Sequence, residues 1–396
     1  MSRTSSDEGL GCRSEEEEEE EEVTELCLDA VGRVALPEGV PAPRYDACAS
    51  LGALILPSAA AGLSDDCHAV YTGESFWLPS GVPPGCALER LAAAVYAGHA
   101  GAAVGPGCGA EWWVQIRGGA GQQQQQQQQE EEEEEEGGSA GEVDDAPHEA
   151  AGRGNGVGFH WDKDEDLVDA QALIVTPHVS TVTYLTDHGA PTLALDKGTP
   201  QLAGDDAVAS EGGAPLYHTP IRRGALSFPK VGKHFQFDGG WLHGALASLV
   251  PDAALGRTRI TFLCNIWLGH RPVGIQRLPA EVRSRLSDLP EHELLVRGAR
   301  QALREGRRWL AEAAEEPHAL AVRPGEDGLV EELHVFGPTG TEHALALPVP
   351  AGQLAALRRA GCHTLGLRYG RGAAPVLTPG DECDDGQDQA FGAEDK

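Results

Sequence analysis

The residues that point most directly to chemistry lie in the segment GFHWDKDED, residues 158 to 166. His160 and Asp162 stand two positions apart in what reads as a short strand, so both side chains project from the same face. An imidazole and a carboxylate in this arrangement can hold one metal ion together. The chain has 15 His, and roughly one His-x-Asp pair is expected by chance. The pair alone is therefore equally compatible with a surface loop.

Two later segments carry further polar residues at strand spacing. RRGALSFPKVGKHFQFDGGWLHGA predicts two short strands that lead into Trp241 and His243. The alternation of GRTRITFLCNIWLG predicts a strand with an apolar face of Ile260, Phe262, Cys264, Ile266 and Leu268, and a polar face of Arg257, Arg259, Thr261 and Asn265. If the polar face points inward, Arg259 is a buried cation that needs an anionic partner.

The order of these segments resembles the 2-oxoglutarate and iron(II) dependent dioxygenases, closest to the prolyl-4-hydroxylase-like branch. The shared features are His-x-Asp, a distant His after a strand reading G-x-x-x-x-F-D, and Arg-x-Thr on the next strand. TVTYLTDHGAPTLAL, residues 181 to 195, is similar to the strand, turn and Gly-rich loop that such domains carry between the two metal-ligand segments. The resemblance covers residues 111 to 268 without the insertion at 118 to 156, and its specificity lies in the joint order and spacing.

The resemblance implies a mainly β protein with a double-stranded β-helix (jelly-roll) core, in which His160, Asp162 and His243 bind Fe(II). Three protein ligands on one face of the ion leave positions free for cosubstrate and dioxygen. It also implies that Arg259 and Thr261 bind the far carboxylate of 2-oxoglutarate, since a guanidinium can hold a carboxylate bidentately.

Other cosubstrate contacts follow less directly from the resemblance. Arg257 is the alternative cation at the same strand parity, and Tyr184 is a candidate hydrogen-bond partner for the cosubstrate, although a strand Tyr also packs well.

The sequence departs from the hydroxylase branch in two places. The Tyr often found before His-x-Asp is replaced by GRGNGVG, and a Gln- and Glu-rich insertion interrupts the approach to the metal segment.

The implied reaction is decarboxylation of 2-oxoglutarate to succinate, coupled to hydroxylation of a substrate or to its demethylation through a hydroxymethyl group. Dioxygen is the co-reactant, and an ascorbate requirement is left open. The sequence does not identify the substrate, which is either a protein side chain or a small molecule. Two other functions stay open: a non-catalytic jelly-roll that acts as a binding or scaffold protein, and a cupin-type metal oxygenase that does not use 2-oxoglutarate.

For several neighbouring residues, a structural role is the first interpretation, ahead of a functional one. Packing or surface roles are predicted for His178, His188 and His234, and Trp241 is predicted to pack at the mouth of the barrel. The carboxylates of Asp164, Glu165 and Asp166 either form a solvated loop or line an acidic entrance that favours cationic substrates.

The elements that must position these residues are mostly strands. Strands are predicted at 111–117, 179–186, 224–228, 233–237 and 258–268, and helices at 87–97, 279–287 and 291–314. The predicted organisation is a disordered acidic N-terminus (1–25), a flanking region with a helix (26–110), the dioxygenase domain (111–270) with a disordered insertion (118–156), a helical segment (271–320), a small ββαβ appendage (321–378) and an acidic tail (379–396).

Composition excludes some partners. The 396-residue chain has a formal charge of −32 and a pI near 4.7, so phosphate backbones and anionic lipid surfaces would repel it. The low-complexity runs of Glu15 to Glu22 and Glu130 to Glu136 carry part of this charge. No apolar stretch approaches the roughly 20 residues of a membrane span. The 9 Cys show no CxxC pairing, which favours a reduced compartment, the cytoplasm or nucleus.

Overall fold

The computed structural model describes residues 27–29, 32–38, 40, 42, 49–101, 103–118, 156–199, 219–310, 317–323, 329–337 and 342–379. Within them the protein is mainly β, with two sheets that pack face to face. Of the low-complexity segments predicted at 1–25, 118–156 and 379–396, residues 1–25, 119–155 and 380–396 lie outside the described residues.

The first sheet has six strands. Their spatial order is β1 (Ala49–Leu51), β8 (His234–Asp238), β5 (Val179–Tyr184), β10 (Arg259–Trp267), β3 (Gly109–Arg117) and β2 (Phe76–Pro79). All of these pairs are antiparallel. The strand predicted at 258–268 is therefore central, with β3 on one side and β5 on the other.

The second sheet has nine strands. Their order is β11 (His318–Val322), β14 (Thr364–Tyr369), β7 (Arg223–Ser227), β6 (Thr192–Gly198), β9 (Trp241–Ala245), β4 (Val157–His160), β12 (Leu329–Phe336), β13 (Glu342–Val349) and β15 (Leu377–Pro379). From β3 to β10 the chain alternates between the two sheets, except that β6 and β7 are neighbours in the second sheet.

The helices are α1 (Pro57–Val70), α2 (Ala87–Ala100), α3 (Glu165–Gln171), α4 (Ala280–Arg283), α5 (Glu291–Leu294), α6 (Arg297–Arg304) and α7 (Ala351–Arg359). The first two cover the outer face of the first sheet, because their apolar residues share one core cluster with Ile260, Phe262 and Cys264. The apolar face predicted for β10 thus contacts helices, and its polar face points between the sheets.

Some helices differ from the sequence prediction. Helix α1 was not predicted, although Ala59, Leu63 and Cys67 repeat at helical spacing and are buried. The single helix predicted at 291–314 is interrupted after α5. There Leu295 forms a β-bridge with Ile55 and the Val296 amide donates to the Leu54 carbonyl. The Leu295 amide still donates to the Glu291 carbonyl, but the Val296 amide donates to Leu54 and not to a carbonyl of the helix, so the helical hydrogen bonding is interrupted at Val296.

The C-terminal segment has the predicted order ββαβ in β12, β13, α7 and β14, with β11 before it and β15 after it. Its strands belong to the second sheet. Strand β14 pairs along β7, and β12 is joined to β4 by one bridge between Val335 and Phe159. The second sheet is therefore extended at both edges, which satisfies edge hydrogen bonds that an isolated appendage would leave exposed.

Within the described residues, no helix is both long and apolar enough to cross a bilayer.

Candidate metal centre

The three predicted metal ligands meet at one point between the sheets. His160 ends β4 and His243 lies opposite it in the register of β9, while Asp162 follows β4 by two residues. One ligand atom from each residue lies within 4.8 Å of the others. Antiparallel pairing of β4 with β9 brings two distant sequence segments together.

The hydrogen bonds around these side chains direct one atom of each toward the common point. Nδ1 of His160 lies 2.8 Å from the Gly158 carbonyl oxygen, and Nδ1 of His243 lies 2.9 Å from the Trp241 carbonyl oxygen. A carbonyl only accepts, so both rings carry a proton on Nδ1 and direct Nε2 toward the common point. The Ser180 hydroxyl donates to Oδ2 of Asp162 at 2.6 Å, which leaves Oδ1 facing the imidazoles.

The spacing of the free atoms suits one small cation. Nε2 of His160 and Nε2 of His243 lie 3.7 and 3.5 Å from Oδ1 of Asp162. Neighbouring ligands about 2.1 Å from one ion are roughly 3 Å apart, so on binding these two distances would shorten by about 0.5 to 0.7 Å. The side chain of His160 is 45% exposed, whereas those of Asp162 and His243 are 9% and 6% exposed. The site is therefore open on the His160 side.

The charge of the site is set by Asp162. Burial alone would raise the pKa of this carboxyl, but His243, His160 and the Ser180 hydroxyl together hold it below its ordinary value. Asp162 is thus ionised at neutral pH, as a metal ligand must be. In the absence of a cation the same carboxylate raises the pKa of His243.

Arg259 lies on the face of β10 that points between the sheets and is 2% exposed. Its guanidinium donates to Gln115 Oε1 at 2.8 Å and to Thr192 Oγ1 at 3.0 Å, and Thr261 Oγ1 lies 3.4 Å away. Among the described residues, Nε has no hydrogen-bond partner and no carboxylate is within ion-pair distance of the guanidinium. Burial and the neighbouring Arg117 lower the pKa of Arg259.

Tyr184 is a buried residue whose hydroxyl lies 2.8 Å from Thr192 Oγ1 and 2.8 Å from the Ser227 carbonyl oxygen. A phenol has one hydrogen, and it goes to the carbonyl because a carbonyl cannot donate. The Thr192 hydroxyl then donates to Tyr184 and accepts from Arg259. The ring of Tyr184 also lies beneath the guanidinium, 5.7 Å from centroid to Cζ.

Other residues named from the sequence have different surroundings. Arg257 is exposed. His234 is buried with Nδ1 2.8 Å from Thr183 Oγ1, His178 lies 3.1 Å from the Val34 carbonyl oxygen, and His188 contacts Asp187. Trp241 is half-buried and lies beneath Arg223.

The three carboxylates that follow His160 and Asp162 differ in burial and in contacts. Asp164 is buried, caps α3 by accepting from the Leu167 amide, and accepts from His270 and the Val273 amide. Glu165 and Asp166 are exposed. Asp164 thus fixes the segment that follows the ligands and belongs to no solvated entrance.

Ser180, Gln115 and Thr192 were not identified from the sequence. Each faces the space between the sheets and contacts a predicted site residue. Strand parity was the available signal for Gln115, which pairs in register with Thr261. Ser180 and Thr192 require the register of β5 and β6, which the sequence does not give.

No protein-family model matches the chain, and no curated protein is significantly similar to it. Among solved structures it is similar to EctD from S. alaskensis in its apoform, with 14% identity and a TM-score of 0.33 over 64% of this chain and 88% of the other. It is also similar to the non-heme alpha-ketoglutarate dependent epimerase SnoN from nogalamycin biosynthesis, with 14% identity and a TM-score of 0.32 over 64% and 96%. Similarities of this size do not assign a function, which has to be inferred from the site.

Proposed function

We propose that the protein is an iron(II)- and 2-oxoglutarate-dependent oxygenase built on a double-stranded β-helix. The eight strands β3 to β10 form two four-stranded sheets, β8-β5-β10-β3 and β7-β6-β9-β4, with the metal ligands on β4, just after it, and on β9. This arrangement supports the fold expected from the resemblance. The prolyl-4-hydroxylase-like branch remains a prediction.

The observation that carries the proposal is the convergence of Nε2, Oδ1 and Nε2 from His160, Asp162 and His243, each with its second polar atom held by the protein. Second-shell bonds of this kind orient ligands toward a metal. Two neutral imidazoles and one carboxylate on one face match the donor set of non-haem iron(II) oxygenases.

Arg259 supports the assignment of the cosubstrate. A buried guanidinium with only neutral partners among the described residues is costly unless an anion binds there. Thr192, which contacts Arg259, is in register with Ala245, two residues from His243 on β9. Two residues span about 6 to 7 Å of strand, a distance that a five-carbon dicarboxylate can bridge from the metal to Arg259.

The residues around the site would then have the following roles. Arg259 and Thr261 hold the far carboxylate of 2-oxoglutarate, and Gln115 and Thr192 orient Arg259. Tyr184 supports Thr192, so its role is to position Arg259 and not to donate to the cosubstrate. When bound, the iron with 2-oxoglutarate supplies the oxidising chemistry, and the two sheets keep bulk water from it.

The proposal is tested with protein purified without oxygen. The wild-type chain should bind one equivalent of Fe(II) and convert 2-oxoglutarate to succinate in the presence of dioxygen and ascorbate. His160→Ala and Asp162→Ala should abolish both iron retention and succinate formation. His188→Ala removes an imidazole that contacts Asp187 away from the three ligands and should change neither.

Two results would contradict the proposal. Failure of correctly folded wild-type protein to retain iron would favour a binding or scaffold protein. Substrate oxidation that proceeds without 2-oxoglutarate, and that persists in Arg259→Met, would favour a cupin-type oxygenase.

A further inference from the structure

The space between the sheets remains accessible on the side of β3. Residues of β3 that face the helices are buried, whereas those that face the second sheet, Glu111, Trp113, Gln115 and Arg117, are only half-buried. In a strand at the protein surface, the residues that face the second sheet would be the more buried ones, whereas in β3 they are the less buried ones. It indicates that side chains do not fill the space along the inward face of β3, and this space is called the cavity below.

Glu111 is a carboxylate in this cavity that has no cationic partner among the described residues. Its contacts are three neutral donors: the Ser75 hydroxyl at 2.8 Å, Trp267 Nε1 at 2.8 Å and Asn265 Nδ2 at 3.4 Å. Burial and the nearby carboxylate of Asp162 raise the pKa of Glu111 to about 7, against the effect of these hydrogen bonds. A carboxylate held in this way gains from any cation that reaches it.

Asn265 provides a second unsatisfied acceptor beside Glu111. It is 3% exposed, and its Oδ1 has no hydrogen-bond partner in the part of the chain that the structure describes. The orientation of the amide is fixed by Glu111, because a carboxylate only accepts and so faces Nδ2. A buried acceptor without a donor is unfavourable. Asn265 Oδ1 and Glu111 are therefore placed to accept hydrogen bonds from a ligand with N–H donors and a positive charge.

The position of these acceptors relates them to the metal centre. Glu111, Asn265 and Ser180 lie in one row across β3, β10 and β5, and Ser180 donates to Asp162. Two strand spacings, about 10 Å, separate β3 from β5. Arg259 lies six residues from Asn265 along β10, about 20 Å. The cavity is thus cationic at one end and rich in acceptors at the other.

We propose that Glu111 and Asn265 bind an N–H-bearing cation of the oxidised substrate, an ammonium or guanidinium group. This inference rests on the proposed function and names its substrate class. The cosubstrate occupies the space toward Arg259, so the substrate approaches the metal from the Glu111 side. Trp77 is in register with Glu111, and Trp267 donates to it. These indoles keep water from the carboxylate and strengthen its attraction for a cation.

The test compares n-propylguanidinium with its neutral isostere n-propylurea. Binding is measured by calorimetry on the full chain loaded with Fe(II) and 2-oxoglutarate without oxygen. The wild type should bind the cation at least tenfold more tightly than the urea. Glu111→Gln keeps the hydrogen-bond acceptor but removes the charge, and should lower cation affinity about tenfold while leaving the affinity for the urea unchanged.

Glu165→Gln is the matched control, because this exposed carboxylate lies close to the metal segment and pairs with Lys163. It should leave cation affinity unchanged. Equal binding of the two probes by the wild type would overturn the proposal, as would a Glu111→Gln protein that binds the cation like the wild type. Retained iron and 2-oxoglutarate binding shows that the variant is folded.

Succinate formation without added substrate separates this proposal from the proposed function. If succinate forms but the wild type does not prefer the cation, the cation site is wrong and the oxygenase assignment stands. If no succinate forms and the preference is present and depends on Glu111, the oxygenase assignment is wrong, and with it the substrate role of the cation.

Discussion

The three metal-ligand side chains are oriented by hydrogen bonds of two kinds. His160 and His243 each contact the carbonyl two residues earlier in their own strand, so their orientation depends on local strand geometry. Asp162 depends on Ser180, which belongs to the opposite sheet. The carboxylate is therefore the ligand whose orientation depends on the packing of the two sheets.

Ser180→Ala should weaken metal binding without unfolding the protein. Loss of the hydroxyl frees Asp162 to rotate, and second-shell changes of this type typically cost about 10- to 100-fold in metal affinity. Affinity is measured by titrating Fe(II) into apoprotein without oxygen. Ser64→Ala, which removes a hydroxyl bonded within α1, should have wild-type affinity. Unchanged affinity in Ser180→Ala would mean that Ser180 does not position Asp162.

Arg259→Met should stabilise the apoprotein and impair its function. Replacing a buried charge by an apolar side chain of similar length is expected to raise the free energy of unfolding by about 1 to 3 kcal/mol. The KM for 2-oxoglutarate should rise about 30-fold or more, because a buried charge pair can no longer form. Urea denaturation and succinate formation measure the two effects.

Arg257→Met is the control for this prediction, since Arg257 is exposed two residues away. It should change the free energy of unfolding by no more than about 0.5 kcal/mol. The KM for 2-oxoglutarate should change by no more than the ratio that corresponds to this energy. An unchanged KM in Arg259→Met would exclude Arg259 from cosubstrate binding, whatever the effect on stability.

At the scale of elements, α2 is joined to the segment after β10 by one buried carboxylate. Glu89, in the first turn of α2, is not exposed and contacts Arg277 at 2.8 Å, Arg283 at 3.4 Å and the Gly85 amide at 2.6 Å. Burial alone would raise the pKa of Glu89, but the hydrogen bonds from Arg277 and Gly85 and the charge of Arg283 lower it below its ordinary value.

Glu89→Gln should reduce stability in a pH-dependent manner. A carboxylate whose pKa is lower in the folded state stabilises the protein above its unfolded pKa, and this contribution is lost as the pH falls through the folded pKa. The variant should lose about 2 kcal/mol or more at pH 7, and the difference from wild type should shrink below about pH 4. Urea denaturation across this range measures it, with exposed Glu281→Gln as control. A difference that does not depend on pH would contradict this interpretation of the ion pair.

The elements that could be predicted from sequence are those with a strong local pattern. Strand β10 alternates over nine residues, so its apolar and polar faces could be predicted from parity, whereas parity alone did not show that the polar face with Arg259 points inward. The ligand set of His160, Asp162 and His243 was predicted through the family resemblance, which rests on the order and spacing of the segments. Ser180, Thr192 and the interruption between α5 and α6 were not predicted, because each depends on which strands pair and in which register. The sequence could not decide between an acidic entrance and a solvated loop, because Asp164 contacts His270, which lies 106 residues away in the chain.

At the scale of the whole molecule, the C-terminal strands support the segment that carries two metal ligands. Phe159 and Trp161, on either side of His160, share a core cluster with Val335, Leu345 and other C-terminal residues. Val335 also forms the bridge to Phe159. The position of His160 and Asp162 therefore depends on strands that follow them by about 170 residues in the chain.

Val335→Asp should weaken both the fold and the metal centre. Val335 is fully buried, and a carboxylate there would lack a partner within the apolar cluster, at a cost of about 3 kcal/mol or more in the free energy of unfolding. The bridge to Phe159 would be disturbed as well, so iron affinity should fall together with stability. Val330→Asp lies on the same strand at a position that is 53% exposed and should leave both unchanged. Iron titration and urea denaturation of the two variants provide the comparison. If Val335→Asp loses stability but retains wild-type iron affinity at temperatures where it is folded, the C-terminal strands stabilise the chain without supporting the metal ligands.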